Sequence, residues 1–339
     1  MIFHHHPSLL SFNTFNIDVM AEEMVTIEDT TDLSKLAGKR NLNDTPYLIL
    51  GEGSNILFTK NFAGLVIHSI TSKIEIVKEN EKNLWLKVES GLNWHTLVLK
   101  TIEMGLQGLE NLSLIPGKVG AAPIQNIGAY GVEIEKFIVE VDAFDMLGGS
   151  NIKFNNKECE FGYRTSIFKT AYKNRLFIKS ITLKLNKIPD YNIQYGGLQE
   201  TLDLLGIKEL NVKGISDAII HIRQNKLPNP DKIGNAGSFF KNPVIDKTDF
   251  EGLQAEFPGI RYFHLDEKRV KIPAAWLIEQ CNWKGKKTGN CGVHETQPLV
   301  LINLGKAIGS EILELSEKIK EDVSHKFGLL LETEVNILK

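Results

Sequence analysis

The chain has 339 residues and a formal net charge of −3, a length that predicts two or three domains and a charge that leaves no basic field for nucleic acid. Three cysteines, Cys159, Cys281 and Cys291, are odd in number and lack CxxC spacing, which argues against a disulfide framework or zinc site and predicts buried, inert thiols in a reducing cytoplasm. No apolar run reaches the ~18 residues that would span a bilayer, so no membrane partner is expected; with the cysteines lacking zinc spacing, no metal is expected either.

In chain order, residues 1–12 hold an apolar patch cut by His4, His5 and His6, which predicts a disordered leader. Tyr47–Leu50 is a short apolar run ending at Gly51-Glu52-Gly53-Ser54-Asn55. The run resembles the start of a dinucleotide fingerprint. The third glycine is missing, however, and Ile56-Leu57-Phe58 continues as strand rather than helix, so a strand–loop–strand turn is expected. Leu84, Leu86 and Val88 alternate as a strand does, as do Val139, Val141 and Ala143, and later Ile181, Leu183 and Leu185. Between the first two, Trp94, Leu97, Val98 and Thr101 have helical spacing. Residues 60–190 are thus expected to surround one sheet, with GKVGAAPIQNIGAYGVE (117–133) as its main irregular connection.

Ser216–Arg223 reads as a short helix stopped by Leu227-Pro228-Asn229-Pro230, where a domain boundary is expected. A smaller unit follows, with GNAGSFFKNP (234–243) and a helix over Ala274–Cys281. Ile312, Leu315, Ile319, Val323 and Phe327 lie at helical spacing ahead of a capping Gly328. A terminal strand then places Thr333 and Val335 on one face and Glu332, Glu334 and Asn336 on the other.

The two glycine-rich stretches predict backbone N–H groups converging on an anion, because glycine removes the Cβ that would hold the backbone away. Ser238, flanked by Phe239 and Phe240, is a sheltered hydroxyl or an ordinary turn residue; no G-x-S-x-G elbow surrounds it. Arg164, beside Tyr163, offers a rigid fork for a carboxylate, or a salt bridge or ring contact only. Glu332 and Glu334 form a solvated face, unless one enters a pocket where desolvation favours its neutral form. Tyr195 precedes Gly196-Gly197 on a loop suited to covering a ligand, and Lys226 is either a solvated charge or a phosphate-directed ammonium. A phosphate cradle plus an enclosed hydroxyl beside aromatics points to a cofactor enzyme with a nucleotide-bearing ligand.

GEGSN (51–55), GLENLSLIPGKVGAAPIQNIGAYGVE (108–133), FGYRTSIFK (161–169), NKLPNP (225–230), GNAGSFFKNP and LETEV (331–335) occur in this order. Together they resemble the UDP-N-acetylenolpyruvoylglucosamine reductase family, in its subclass with a tyrosine loop. The resemblance implies an α+β chain: an FAD-binding fold of the vanillyl-alcohol-oxidase/PCMH type in two subdomains, plus a smaller α/β substrate-binding domain. Residues 1–75, joined by the strand 329–339, would form the first subdomain, 76–226 the second, and 227–328 the substrate domain.

It further implies FAD held by Gly51, Glu52, Gly53, Ser54 and Asn55 in one segment. In the other, Pro116, Gly117, Gly120, Ala121, Ala122 and Pro123 would take part, followed by Gln125, Asn126, Gly128, Ala129, Tyr130 and Gly131. Ala121-Ala122 stand where serines are frequent in the family, and Thr333 where proline is familiar. NADPH would reduce the flavin, and the enolpyruvyl sugar nucleotide would then take a hydride at C3. Arg164 and a protonated Glu334 would polarise its carboxylate while Ser238 protonates C2. Tyr195, Lys226, Asn242 and Gln297 would bind the sugar nucleotide, with His294 a weaker candidate. A cytoplasmic monomer is expected. The alternatives are a flavin-dependent alcohol oxidase of the same superfamily and a non-catalytic flavin or nucleotide-sugar binding protein.

Overall fold

A computed structural model describes residues 1–339, which divide into two compact units. One comprises Met1–Pro7, Ala21–Glu52 and Ala63–Asn225, the other Ser8–Met20, Gly53–Phe62 and Lys226–Lys339.

The first unit carries two larger sheets and a two-stranded ladder of Gly128–Ala129 with Val132–Glu133. Ile2–His5, Ala21–Ile27, Phe62–Ser69 and Tyr47–Leu50 are neighbours in that order in a four-stranded sheet. The second sheet has five antiparallel strands in the order Ser150–Asn155, Ile138–Asp145, Leu176–Asn186, Asn83–Glu89 and Ile74–Glu79. The strands of residues 60–190 are therefore split among these three sheets rather than gathered in the single one expected. Alternation identifies a strand but not its partner, and Phe62–Ser69 pairs in parallel with Tyr47–Leu50 rather than with the strands that follow it. The leader also departs from expectation. Ile2–His5 is an ordered edge strand in register with Glu23–Thr26, because its backbone groups find a ladder whatever its side chains do.

The alternating apolar residues behave as their period requires. Ile181, Leu183 and Leu185 are fully buried in one core with Leu86, Val88, Leu97, Val98 and Val141. Trp94–Glu103 is a helix whose first turn is capped by Asn93, the side-chain oxygen accepting from the Thr96 N–H at 2.9 Å. A further helix, Asp32–Lys39, packs Leu33 and Leu36 into a second cluster with Val25, Ile27 and Phe144. Leu198–Leu204 and Val212–Lys226 build a third cluster, the latter helix longer at both ends than the Ser216–Arg223 periodicity marks.

The second unit holds two three-stranded sheets and the helices Lys247–Glu256, Ala274–Gln280 and Gly309–Phe327. The last is closed by Gly328 in the left-handed conformation, φ 66°. Gly53, φ 61°, is required where it stands, since a Cβ there would land on the Phe12 carbonyl oxygen. The terminal segment is regular strand only over Asn336–Leu338, paired in parallel with Ile56–Phe58. Before it the chain is extended and touches a neighbour at one bridge, Thr333 with Phe240. The expected alternation survives without a full ladder: Leu331 and Val335 are buried, Glu332 and Asn336 exposed.

Cys159 and Cys291 are buried, and burial pushes their thiols up to about 12 and about 11 respectively. Cys281 is half-buried, its thiol raised by the same cause. None is in a disulfide; burial, expected of all three, holds for Cys159 and Cys291 but only in part for Cys281. No helix is long and apolar enough to cross a membrane.

Candidate active site

In the first unit the loop after Pro116 folds on itself. The N–H groups of Val119 and Gly120 donate to Leu92 O and Ser90 O, both at 2.9 Å. Those of Ala121, Ala122, Ile124, Asn126 and Ile127 donate to carbonyls three to five residues back. The amides of Val119–Ala122 are thus bonded within the protein, those of Ala121 and Ala122 as part of a short 3-10 turn over Val119–Ala121. Gly120 serves packing instead: a Cβ on it would sit 2.6 Å from Ser90 Cβ.

Side chains tie this loop to the first glycine-rich turn. Glu52 accepts from the Gly117 N–H at 2.9 Å and from Asn93 Nδ2 at 2.7 Å. The stem of Lys118 runs past Gly51, and its ammonium donates to Ser69 O at 2.6 Å and to His68 Nε2 at 3.1 Å. His68 Nδ1 lies 2.9 Å from Leu50 O, an atom that only accepts. Nδ1 therefore carries the proton, and Nε2 is the acceptor for Lys118. Burial and then the Lys118 charge hold the His68 imidazole below its ordinary range, which keeps it neutral. Burial also lowers Lys118. Neither His68 nor Lys118 stood out in the sequence, since neither belongs to a glycine position and they are 50 residues apart.

Asn126, fully buried with φ 46°, is the loop's other anchor. Its Nδ2 donates to Glu133 Oε2, Glu135 Oε2 and Gly162 O at 3.0–3.2 Å, and its Oδ1 accepts from the Glu135 N–H at 3.1 Å. Burial, then the neighbouring Glu135 carboxylate, raises Glu133. Arg164 donates to Gly128 O at 3.0 Å, with its guanidinium carbon 5.7 Å from the Tyr163 ring centroid, so the ring contact read as an alternative does form. Tyr195 is 51% exposed and packs edge-on against Tyr130, ring centroids 5.4 Å apart.

In the second unit, the Gly234–Pro243 segment is extended and shared among distant partners. Asn235 N–H donates to Thr14 O, Phe239 N–H to Leu299 O, and Lys241 N–H to Glu332 O, at 2.8–2.9 Å. Ser238 bridges Val300 and Phe240 bridges Thr333. Phe239 and Phe240 are buried, which fixes the strand while Ser238 between them and Gly237 stays half-buried. Glu334 N–H donates to Phe239 O at 2.8 Å, so Ser238 and Glu334 lie on adjoining segments. Asn55 Nδ2 donates to Glu334 O at 3.2 Å, which adds a support to the carboxylate's backbone.

Asn242 Oδ1 accepts from the Ala274 N–H at 2.9 Å, satisfying the start of Ala274–Gln280. The N–H of Gln297 donates to His294 Nδ1 at 3.3 Å, and burial lowers that imidazole. Lys226 is the exposed last residue of Val212–Lys226. Arg164 thus belongs to the first unit, and Ser238, Asn242, Gln297 and Glu334 to the second.

The donor set of the first unit fits a flavin dinucleotide. A half-buried ammonium paired with no carboxylate stands on a loop of small residues, beside a second glycine-rich turn. Residues 21–153 match the FAD binding domain family, and residues 229–338 match the UDP-N-acetylenolpyruvoylglucosamine reductase, C-terminal domain family. The fold is that of an FAD-binding protein of the PCMH and cholesterol oxidase type, with mixed helix and strand. The chain is 47% identical over 331 residues to UDP-N-acetylenolpyruvoylglucosamine reductase of Amoebophilus asiaticus, covering 98% of each chain. It is 44% identical over 332 residues to the enzyme of that name in Flavobacterium johnsoniae, again covering 98% of each.

Two solved structures agree in fold. UDP-N-acetylenolpyruvylglucosamine reductase of Thermus caldophilus has a TM-score of 0.70 at 23% identity, covering all of both chains. A solvent-stable cholesterol oxidase has a TM-score of 0.50 at 12% identity, covering 97% of this chain and 86% of that one. The chain belongs to the UDP-N-acetylenolpyruvoylglucosamine reductase family of FAD-dependent oxidoreductases, with NADPH as the reductant that membership brings.

Proposed function

We propose that the protein reduces UDP-N-acetylglucosamine enolpyruvate to UDP-N-acetylmuramate for peptidoglycan synthesis, as a cytoplasmic monomer. Bound FAD supplies the hydride, taken from NADPH and delivered to C3 of the enolpyruvyl group. The remaining chemistry falls to side chains. As C3 gains the hydride, negative charge builds on C2 and spreads into the substrate carboxylate. Arg164 stabilises it with a planar two-donor fork, and Glu334 helps polarise the same carboxylate. Ser238 then transfers its hydroxyl proton to C2. A serine hydroxyl is a weak acid in bulk water, but contact with a basic carbanion in a dry site makes the transfer effective.

The observation that supports these roles is the pairing of residues 239–241 with 332–334, which puts Glu334 opposite Phe239, the residue after Ser238. The substrate follows from the names of relatives that share nearly the whole chain. Tyr195, Lys226, Asn242 and Gln297 are assigned to the sugar nucleotide, with Tyr195 as a tyrosine lid. Residues 1–75 with 329–339 and 76–226 are assigned as the FAD subdomains, and 227–328 as the substrate domain.

The test is anaerobic NADPH oxidation by the purified protein, with and without UDP-N-acetylglucosamine enolpyruvate. Sustained consumption only with the sugar nucleotide supports the reaction. A single stoichiometric flavin reduction with no turnover overturns the substrate assignment while leaving the flavin site intact.

A further inference from the structure

We propose that Lys118 is a cofactor-binding residue whose ammonium supplies the side-chain positive charge for the diphosphate of FAD, with His68 as the positioning residue that aims it. A diphosphate brings two negative charges into a half-enclosed site, which needs donors and charge to offset lost hydration. The loop beside it offers few amides for that purpose, since those of Val119–Ala122, Ile124, Asn126 and Ile127 are bonded within the protein. The Gly117 N–H is taken by the Glu52 carboxylate. Glu52 itself is held by Asn93, so it is fixed as an anchor and does not pair with Lys118.

Lys118 is the complementary anomaly. Its ammonium is half-buried, yet its two acceptors, Ser69 O and His68 Nε2, are both neutral. Two of its three protons go to them, and no carboxylate forms an ion pair with it; Glu52 acts on it only at longer range. A cation taken from water into such a place is costly unless an anion arrives to join it. The base of the stem, Cβ and Cγ, passes within 3.9 Å of where a Gly51 Cβ would be, so Lys118 adjoins the first glycine of the GEGSN turn while its ammonium reaches on to Ser69 O and His68 Nε2. His68 completes the arrangement by using Nδ1–H on Leu50 O, the residue just before that turn, and presenting Nε2 to the ammonium.

The experiment measures FAD affinity of the full-length apoprotein by flavin fluorescence over a series of salt concentrations, for wild type, Lys118→Met and Lys118→Arg. Melting of each apoprotein without flavin is recorded alongside. Lys118→Met keeps the stem and removes the charge, so FAD binding is expected to weaken by about 10- to 100-fold. Its dependence on salt should also become shallower than wild type. Lys118→Arg should bind more tightly than Lys118→Met, and the Lys118→Met apoprotein should melt no lower than wild type. Unchanged FAD affinity in Lys118→Met overturns the proposal. So does a loss of affinity that parallels a lower apoprotein melting temperature with an unaltered salt dependence, which would make Lys118 a structural strut.

Discussion

The two glycine-rich segments look alike on paper and are built on opposite plans. Residues 117–127 spend most of their backbone N–H groups on one another, with Val119 and Gly120 tied to Leu92 and Ser90 of an earlier segment, so the loop keeps its shape largely through its own bonds. Residues 234–243 spend theirs on Thr14, Leu299 and Glu332, far away in sequence. A self-closed loop must act through the side chains it projects, here Lys118 and Asn126. A segment stretched between distant partners can instead hold one side chain, Ser238, at a position that no local change easily shifts.

The largest effect is expected at the second segment. Ser238→Ala should lower turnover by about 10²- to 10⁴-fold, the usual worth of a positioned proton donor, while FAD remains bound. Turnover near wild type would remove Ser238 from the reaction and leave its scaffold without a purpose. Phe239→Ala attacks the same position through packing. The ring is fully buried and meets Phe15 and Phe240 edge-on, at 6.3 and 5.1 Å between centroids, so its loss should cost about 3–5 kcal/mol in urea unfolding.

The first segment should respond differently. Asn126→Ala removes the buried amide on which Glu133, Glu135 and Gly162 converge, at a cost of about 1–3 kcal/mol, and flavin affinity should fall with it. Unfolding and flavin titration of one preparation check both. If stability falls but flavin binding does not, the loop's shape matters less to the cofactor than its self-closed plan implies.

An ion pair outside both segments calibrates these numbers. Asp145 is buried and accepts from Arg175 Nε at 2.9 Å and a terminal nitrogen at 2.6 Å, which holds its carboxyl at about 2 against an ordinary 3.8. A depressed value means the stabilisation is fully present above the unfolded-state value near 3.8 and is lost as pH falls through about 2. The stability gap between wild type and Asp145→Asn should therefore shrink by roughly 2 kcal/mol from pH 5 to pH 2. A gap independent of pH would mean that the pairing shifts no protonation.

Much of this was legible from periodicity and motif. The strands around Leu86, Val141 and Leu183, the helix from Trp94 and the Gly328 cap follow from apolar spacing, because each element's burial is set by its own residues. Strand partners were not legible: nothing within Phe62–Ser69 specifies a parallel neighbour. The direction of N–H groups was equally hidden, since glycine permits many conformations and selects none. Lys118 and His68 escaped for a related reason. Their meaning lies in a contact between residues 50 apart, and each alone reads as an ordinary polar side chain.

The smallest expected effect falls on a pair that sequence could not separate, Glu332 and Glu334. They alternate alike and differ only in what surrounds them. Glu332 has a side chain 72% exposed, bonded to Lys241 Nζ at 2.8 Å. Exposed pairs of this kind are worth about 0.2–1 kcal/mol. Glu334 is half-buried, its N–H bonded to Phe239 O and its carbonyl to Asn55. Glu332→Gln should therefore leave stability within about 1 kcal/mol and turnover near wild type. Glu334→Gln retains a hydrogen-bond donor in a similar shape, so it should lose less turnover than Glu334→Ala. Steady-state turnover of the three variants separates the roles. Equal loss in Glu332→Gln and Glu334→Gln would mean that the whole extended segment, rather than one carboxyl on it, is what the second plan holds in place.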